Sequence, residues 1–283
     1  MRIMLIYPKY PLKNIVDPDW EEEYNAVSKM PSLETGLYDE YEKRLIFSKL
    51  YENENYIFLY RGWMLEPEDH PSYIFSQYSW FSDHIQAKTA NSGFFWTELL
   101  KPYIIGPTIL YPNEFLDNLQ KEKCTESPDI LGEKLYSLSV SELGNSIFVK
   151  DGVKSESEPV ISSAEELSLL LSKMKNHIGK FRDGLIFKPA VKVENEKRFF
   201  CFAVNNNVSI FPSDNIQNEE KEFLNNIINT VIPAFELNFF TLDTACVNGK
   251  TVLVELGHGE YSSLKNLSVE EFSETLEFIA EKI

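Results

Sequence analysis

The sequence predicts an α+β protein in which a small α/β lobe is followed by two α+β lobes. Three observations lead to this prediction. Apolar strand-like runs alternate with amphipathic stretches over residues 1–111, hairpin signals recur in the C-terminal part, and 43% of the 283 residues are hydrophobic. That share is enough for a sizeable core and argues against a disordered chain.

The N-terminal α/β lobe is predicted over residues 1–111. Residues 3–7 and 56–60 are apolar runs typical of buried strands, and residues 19–29 form an acidic stretch with apolar side chains at helical spacing. A strand, a helical crossover and a second strand favour parallel pairing. Residues 91–100 are expected to form a short helix.

The central lobe is predicted over residues 112–188. Its long helix, residues 167–175, is expected to begin with a capping box, formed either by Ser162 with Glu165 or by Ser163 with Glu166. The other expected elements are strand 104–110, which leads into the lobe, helix 112–121, strand 146–150 and strand 184–188.

The C-terminal lobe is predicted over residues 189–283. Asn248-Gly249 between two apolar runs is a strong type I′ hairpin signal, and Ser268 with Glu271 predicts a capped final helix. The remaining expected elements are a hairpin of strands 197–204 and 208–211, helix 218–231, and the two strands 239–247 and 250–256 on either side of Asn248-Gly249.

Charge and composition exclude several classes of function. The formal charge is −17, from 44 acidic and 27 basic residues, which disfavours binding to nucleic acid but not to nucleotide with metal. No apolar run approaches the ~20 residues that span a bilayer, so no membrane association is expected. Three cysteines without paired spacing fit a reducing compartment and predict a cytoplasmic protein.

The first candidate site is a pair of lysines near a glycine. Lys150 ends an apolar strand, and Lys154 follows closely after Gly152. Two ammonium groups placed in this way can neutralise the charge that builds on a transferred phosphoryl group. The alternative, which the local sequence favours, is a pair of solvated lysines at the end of a strand.

The second candidate site lies at the start of the apolar strand at 197–204. Strand alternation places Glu196 and Arg198 on one side and Lys197 on the other. Glu196 could accept hydrogen bonds from ribose hydroxyls, and Arg198 could contact a phosphate. An ordinary charged strand edge, which prevents aggregation, is an equal alternative.

The third candidate site is the hairpin that carries Asp243 and Glu255. A carboxylate in each of two adjacent apolar strands is costly to bury, so the two are expected to share a cation such as Mg²⁺. The alternative is that both side chains reach solvent. His258 lies between two glycines, and by itself it is more often a loop residue than a metal ligand.

Taken in order, these clusters resemble the ATP-grasp superfamily, most closely its R2K-type branch. The resemblance spans residues 1–265, and the order and spacing of its motifs carry it more than any single motif. The motifs are 17–27, Tyr60-Arg61-Gly62-Trp63-Met64-Leu65, Phe148-Val149-Lys150 with Lys154, Glu196-x-Arg198-x-Phe200, and Asp243 with Val254-Glu255-x-Gly257-x-Gly259.

The resemblance implies a three-lobed fold with ATP bound between the two α+β lobes and Mg²⁺ or Mn²⁺ on the C-terminal hairpin. It implies that Lys150 and Lys154 contact the phosphates and that the adenine hinge lies near Lys188. Glu196 would lie near the nucleotide, and Arg198 near the γ-phosphate or acyl phosphate. Asp243 and Glu255 would hold the metal, with His258 assisting. Arg198 and Lys154 are the expected catalytic residues.

Two departures put the metal site in question. Many ATP-grasp enzymes have asparagine two positions after the metal-binding glutamate, where this chain has Gly257, and the R2K-type pattern has an acidic residue where this chain has His258. A loss of ordinary Mg²⁺ binding is therefore one alternative. Arg61 has two interpretations, as a residue that guides substrate or as the partner of a neighbouring acid.

The function that the resemblance implies is a carboxylate–amine ligase. A substrate carboxylate would attack the γ-phosphate of ATP, and an amine would capture the acyl phosphate to give an amide. The expected partners are ATP and an amino acid, a peptide or a small metabolite. The alternatives are a kinase-like phosphotransferase and a nucleotide-binding or interaction protein without catalysis.

Overall fold

The computed structural model describes residues 2–47, 55–121, 128–153, 160–178, 181–214 and 216–283. The chain divides into two compact units. Unit 1 comprises Met1–Asn91, Glu196–Thr244 and Glu255–Ile283, and unit 2 comprises Ser92–Asn195 and Ala245–Val254. The finer division into three lobes at residues 111 and 188 stays a prediction.

In the part of the chain that the structure describes, the strands form three four-stranded sheets, with the orders β3-β2-β1-β4, β10-β9-β11-β12 and β5-β8-β6-β7. Within the described residues the strands are β1 (Arg2–Pro8), β2 (Leu33–Asp39), β3 (Arg44–Phe47), β4 (Tyr56–Tyr60), β5 (Ile109–Pro112), β6 (Ile147–Asp151), β7 (Val160–Ile161), β8 (Gly184–Pro189), β9 (Glu194–Val204), β10 (Asn207–Phe211), β11 (Phe239–Val247) and β12 (Lys250–His258).

In the described part of the chain, single helices and runs of consecutive helices separate groups of strands. They are α1 (Glu21–Val27), α2 (Pro71–Ile74), α3 (His84–Asn91), α4 (Gly93–Leu99), α5 (Asn113–Lys121), α6 (Pro128–Leu143), α7 (Ala164–Ile178), α8 (Asn218–Phe235) and α9 (Val269–Ala280). None of the helices in the described ranges is both long enough and apolar enough to cross a membrane.

The N-terminal sheet confirms the predicted parallel pairing. β1 lies between β2 and β4 and runs parallel to both, while β2 and β3 form an antiparallel pair. β2 and β3 were not predicted. The sequence of β2 contains Glu34, Gly36 and Asp39, which are residue types depleted in strands, so its apolar pattern is interrupted.

The core of unit 1 joins the two ends of the chain. Phe200 and Phe202 of β9 stack on Phe239 of β11, and Phe272 of α9 packs against Phe200. Leu5 of β1 belongs to the same buried cluster. The N-terminal sheet and the C-terminal sheet therefore share one hydrophobic core, which explains why distant segments of the chain form one unit.

The sheet of unit 2 is antiparallel throughout, and one of its faces packs on α6 and α7. Val149 of β6 and Phe187 of β8 are buried on that face. The predicted strand 104–110 was wrong in its position, because Gly106 adopts a left-handed φ of 56° and Pro107 follows it. Ile104 forms an isolated bridge with Leu253, and the continuous pairing of β5 with β8 begins at Ile109.

The predicted cap of α9 and the predicted turn are confirmed. The Glu271 N–H donates to Ser268 Oγ (3.1 Å), and Glu271 Oε2 accepts from the Ser268 N–H (2.8 Å). For α7, Ser163 Oγ accepts from the Glu166 N–H, which is half of the second predicted pair, while the Glu166 side chain accepts from the Ser162 N–H. Asn248-Gly249 has positive φ at both residues, as a type I′ turn requires.

Candidate functional site

Lys150 and Lys188, both predicted to contact the nucleotide, lie on one face of the unit 2 sheet. β6 and β8 are antiparallel, with Phe148 opposite Lys188 and Lys150 opposite Ile186. Side chains alternate between the two faces of a strand, so these four residues share a face and the two lysines are diagonal neighbours. The structure therefore brings these two predicted residues together.

Helix α4 packs on this lysine face. The Lys188 ammonium lies 5.4 Å from the centre of the Trp96 ring, a cation–π distance. A Cβ atom on Gly93 would collide with Ile186 Cδ1, so glycine permits the close approach of the helix. Lys150 and Lys188 are 6% and 7% exposed. Because water screens them less than surface lysines, their ammonium groups attract phosphate oxygens more strongly.

The turn after β6 is fixed by hydrogen bonds within unit 2. The Gly152 N–H donates to the carbonyl oxygens of Arg182 (2.9 Å) and Gly184 (3.0 Å). The Arg182 guanidinium pairs with Asp151 Oδ2 at 2.8 Å. The glycine-containing turn is thus a formed element of the structure. Lys154, which is predicted to contact phosphates from the adjoining segment, lies outside the described residues.

Arg198 of β9 and Asp243 of β11, which lie on neighbouring strands of one sheet, form a two-pronged ion pair. Arg198 Nε lies 2.7 Å from Asp243 Oδ1, and Nη2 lies 2.7 Å from Oδ2. Lys265 joins them: its Nζ lies 2.7 Å from Asp243 Oδ2 and 2.7 Å from Glu196 Oε1. We call these four residues the Asp243 cluster. It contains two cations and two carboxylates, so its formal charge is zero.

The loop that carries Lys265 is attached to β9. Arg198 Nη1 donates to the Ser263 carbonyl (3.0 Å), and the Arg198 N–H donates to Asn266 Oδ1 (2.9 Å). Lys265 itself has a left-handed φ of 49°, which is uncommon for a residue with a side chain. Burial alone would lower the pKa of Lys265, but its bonds to Asp243 and Glu196 raise it above the usual range. Lys265 is therefore a cation throughout the physiological pH range.

Glu255 shares a face of the hairpin with Asp243. A Cβ atom on Gly257 would lie 2.9 Å from Thr241 Oγ1, so positions 257 and 241 project to the same side. Alternation along β11 and β12 then places Asp243 and Glu255 on that side as well. The same distance shows that a side chain at position 257 would force Thr241 to move. Position 257 therefore supplies no side-chain oxygen or nitrogen that could serve as a third metal ligand.

The Asp243 cluster does not fit a divalent ion on Asp243. Both carboxylate oxygens of Asp243 already accept from Arg198, and one also accepts from Lys265. A metal ion there would be a third positive group around one carboxylate. Across the described ranges, no three histidine, cysteine, aspartate or glutamate side chains lie close enough together to hold a metal. Glu255 remains the candidate ligand on this hairpin.

His258, predicted to assist the metal site, belongs to a buried polar cluster elsewhere in unit 1. Its Nε2 lies 2.7 Å from Ser82 Oγ, and its Nδ1 lies 3.5 Å from Glu260 Oε2. Glu260 in turn bonds His70 Nε2 at 2.8 Å. Burial, with smaller contributions from His70 and Arg61, holds the pKa of His258 well below its usual value. The structure therefore does not join His258 with Asp243 and Glu255 as three ligands.

Arg61 takes the second of its two interpretations, as the partner of an acid. Its Nε and Nη2 donate to the two oxygens of Glu23 at 2.8 and 2.6 Å. Its Nη1 donates to the carbonyl oxygens of Gly259 and Ser262. Arg61 is fully buried, and its guanidinium also lies 4.8 Å from the centre of the Phe272 ring. The side chain thus joins α1 to the segment that follows β12.

Two residues of these clusters were not found from the sequence. Lys265 lies in a polar segment before the cap of α9, where nothing distinguishes it from a surface lysine. Trp96 is an apolar residue within a predicted helix, a pattern that indicates a core position. Only the contacts of the folded chain connect Lys265 with Asp243 and Trp96 with Lys188.

Solved structures of several ligases resemble the whole chain. The D-alanyl-alanine synthetase A of Vibrio cholerae matches with a TM-score of 0.62 and 12% identity, over 99% of this chain and 97% of that one. The D-alanine–D-alanine ligase of Helicobacter pylori matches with a TM-score of 0.63 and 13% identity, over 100% and 98%. The N5-carboxyaminoimidazole synthetase of Staphylococcus aureus, in complex with ADP, matches with a TM-score of 0.56 and 12% identity, over 91% and 69%.

At this level of identity the similarity concerns the fold. No family model and no curated protein matches the chain. The similar structures are ATP-grasp ligases, and their likeness extends over nearly the full length of the chain in the first two cases. The predicted fold class is confirmed, while the R2K-type branch stays a prediction. The chain has the ATP-grasp fold.

Proposed function

We propose that this chain is an ATP-dependent ligase that joins a carboxylate to an amine through an acyl phosphate. The observation that carries the proposal is the shielded pair of Lys150 and Lys188 on one sheet face of an ATP-grasp fold. The ligase activities of the similar structures support the reaction class. An amino acid, a peptide or a small metabolite is the proposed substrate, and a cytoplasmic location is proposed with it.

Unit 2 is proposed to bind the nucleotide phosphates. Lys150 and Lys188 present two positive charges to anionic oxygens, and the surrounding apolar side chains reduce screening by water. Lys154 is proposed to add a third positive charge. The backbone near Lys188 and Pro189, at the end of β8, is proposed to read the adenine base through its polar groups.

Unit 1 is proposed to act on the transferred group. The substrate carboxylate oxygen attacks the γ-phosphorus, the bond to the β,γ-bridging oxygen breaks, and ADP leaves. The amine nitrogen then attacks the acyl carbon, phosphate leaves, and the amine loses a proton. Arg198 is proposed to stabilise the charge on the transferred phosphoryl group, and Glu196 to lie near the nucleotide.

Isotope transfer tests the proposed reaction. The protein is incubated with ATP, a pool of amines and a pool of amino acids whose carboxylates are labelled with ¹⁸O. An acyl phosphate moves one carboxylate oxygen into the released phosphate, so labelled phosphate is expected only when both acid and amine are present. Release of ADP without labelled phosphate would contradict the acyl-phosphate route and favour the kinase-like alternative.

The alternative of a nucleotide-binding protein without catalysis has one observation in its favour. Asp243 is occupied by Arg198 and Lys265, and position 257 carries no donor atom. Binding of ATP without ADP release in any acid and amine mixture would support this alternative. The isotope experiment therefore separates the three candidate functions by product.

Glu255→Gln is expected to lower ATP turnover by about 100-fold, the lower end of the effect measured when one group that stabilises transition-state charge is removed. The amide keeps the shape of the side chain but removes the negative charge that would hold a cation beside the phosphates. Nucleotide affinity, measured by calorimetry, is expected to change little. Glu222→Gln, on the exposed surface of α8, is the matched control. A fully active Glu255→Gln protein would remove Glu255 from the site.

A further inference from the structure

The Asp243 cluster has the composition of a cation-binding site in which a side chain of the protein supplies the cation. Asp243 is buried, with 3% of its side chain exposed, whereas Lys265 is 34% exposed. Lys265 Nζ lies at 2.7 Å from one oxygen of Asp243 and at 2.7 Å from one oxygen of Glu196. These are the distances of charge-assisted hydrogen bonds, so one ammonium group bridges two carboxylates.

The bridge depends on a loop that is held in place from both sides. The Arg198 side chain donates a hydrogen bond to the Ser263 carbonyl, and the Asn266 side chain accepts a hydrogen bond from the Arg198 backbone N–H. Lys265 lies between these two attachment points and has a left-handed backbone. A side chain fixed in this way loses little freedom when it forms the bridge, which favours the closed pair over an open one.

A divalent ion on Asp243 would have to displace this ammonium. Mg²⁺ binds oxygen ligands at about 2.1 Å and requires nearly octahedral geometry. The oxygens of Asp243 instead accept hydrogen bonds from three nitrogen atoms, each at 2.7 Å. With Arg198 also present, the carboxylate is neutralised before any metal arrives. The cations of the chain and a metal ion are therefore competitors for Asp243.

We propose that Lys265 supplies the positive charge beside Asp243 that was expected, from the sequence, to come from a metal ion. The chain therefore binds nucleotide with no metal ion on Asp243. The role of this charge rests on the proposed ATP-dependent function. Lys265 is then a positioning residue: it holds Asp243, which in turn orients the Arg198 guanidinium. A metal ion used in the reaction would then be held by Glu255 and by the phosphates of the nucleotide.

Binding of Mn²⁺ to the protein without nucleotide tests the proposal. Electron paramagnetic resonance measures free Mn²⁺ in titrations of wild type, Lys265→Met, Lys265→Arg, Asp243→Asn and the double variant Lys265→Met/Asp243→Asn. Wild type and Asp243→Asn are expected to bind Mn²⁺ equally. Lys265→Met is expected to gain about tenfold in Mn²⁺ affinity, the size of change that altering a contact to a metal ligand produces. The double variant is expected to lose that gain.

Lys265→Arg keeps the charge and is expected to behave as wild type, which separates competition by charge from an altered loop. Circular dichroism and thermal unfolding establish that each variant is folded. A wild-type protein whose Mn²⁺ affinity falls on Asp243→Asn would overturn the proposal, as would a Lys265→Met protein that gains none. Failure of the ATP-dependent function would instead appear as absence of nucleotide binding in a separate titration, so the two failures are distinguishable.

Discussion

Replacing Arg61 by methionine is expected to lower the free energy of unfolding by about 3–5 kcal/mol, the range measured when one partner of a buried ion pair is removed. The Arg61 side chain is fully buried and donates to both oxygens of Glu23 and to carbonyl groups after β12. Without it, the buried Glu23 carboxylate loses the two guanidinium donors, although the Tyr7 hydroxyl still donates to it, and the carbonyl oxygens lose a donor. Urea unfolding followed by circular dichroism measures the loss.

Two further variants sharpen the test of Arg61. Arg61→Lys keeps the positive charge but not the planar set of N–H donors. Its free energy of unfolding is therefore expected to lie between those of wild type and Arg61→Met. Lys43→Met is the control, because Lys43 and Asp69 form an exposed pair at 2.7 Å and such pairs contribute less than about 1 kcal/mol. A folded Arg61→Met protein of wild-type stability that has lost only catalysis would contradict this account and return Arg61 to a role with substrate.

Replacing Lys150 by methionine is expected to weaken ATP binding by about 10–100-fold, which corresponds to the loss of one charge-assisted hydrogen bond. Methionine keeps an unbranched stem, so the packing of β6 is expected to survive. Lys150 shares its sheet face with Lys188, and the variant therefore leaves one of the two ammonium groups in place. Calorimetric titration with ATP measures the change.

The control for Lys150 lies in the same unit. Lys192 is exposed and pairs with Glu194 at 2.7 Å, so Lys192→Met removes an equal charge without touching the lysine face. Its nucleotide affinity is expected to equal that of wild type. Equal affinity of Lys150→Met and Lys192→Met would contradict a specific role of the lysine face in binding ATP.

Local patterns predicted the parts of the fold that depend on neighbouring residues. The hairpin at Asn248-Gly249 and the cap at Ser268 follow from backbone geometry and short-range hydrogen bonds, and both are confirmed. β2 could not be predicted, because its glycine and acidic residues are tolerated only through pairing with β1 and β3. Tertiary pairing overrides local propensity there.

The sequence predicted only part of the candidate site, because some of its contacts join residues that are far apart in the chain. Strand alternation was sufficient to place Glu196 beside Arg198. The carboxylates in the two apolar runs of the hairpin indicated Asp243 and Glu255. Lys265 bonds to a residue 22 positions away and to another 69 positions away, and no local pattern encodes such contacts. The ion pairs of Lys265 with Asp243 and Glu196 therefore became visible only in the folded chain.

Binding of a non-hydrolysable ATP analogue, measured by isothermal titration with and without Mg²⁺, decides whether the chain is an ATP-binding protein. We expect saturable binding of one analogue per chain, strengthened by Mg²⁺ and weakened in Lys150→Met. Absence of binding under both conditions would contradict the proposed ATP-dependent function, although the ATP-grasp fold would stand.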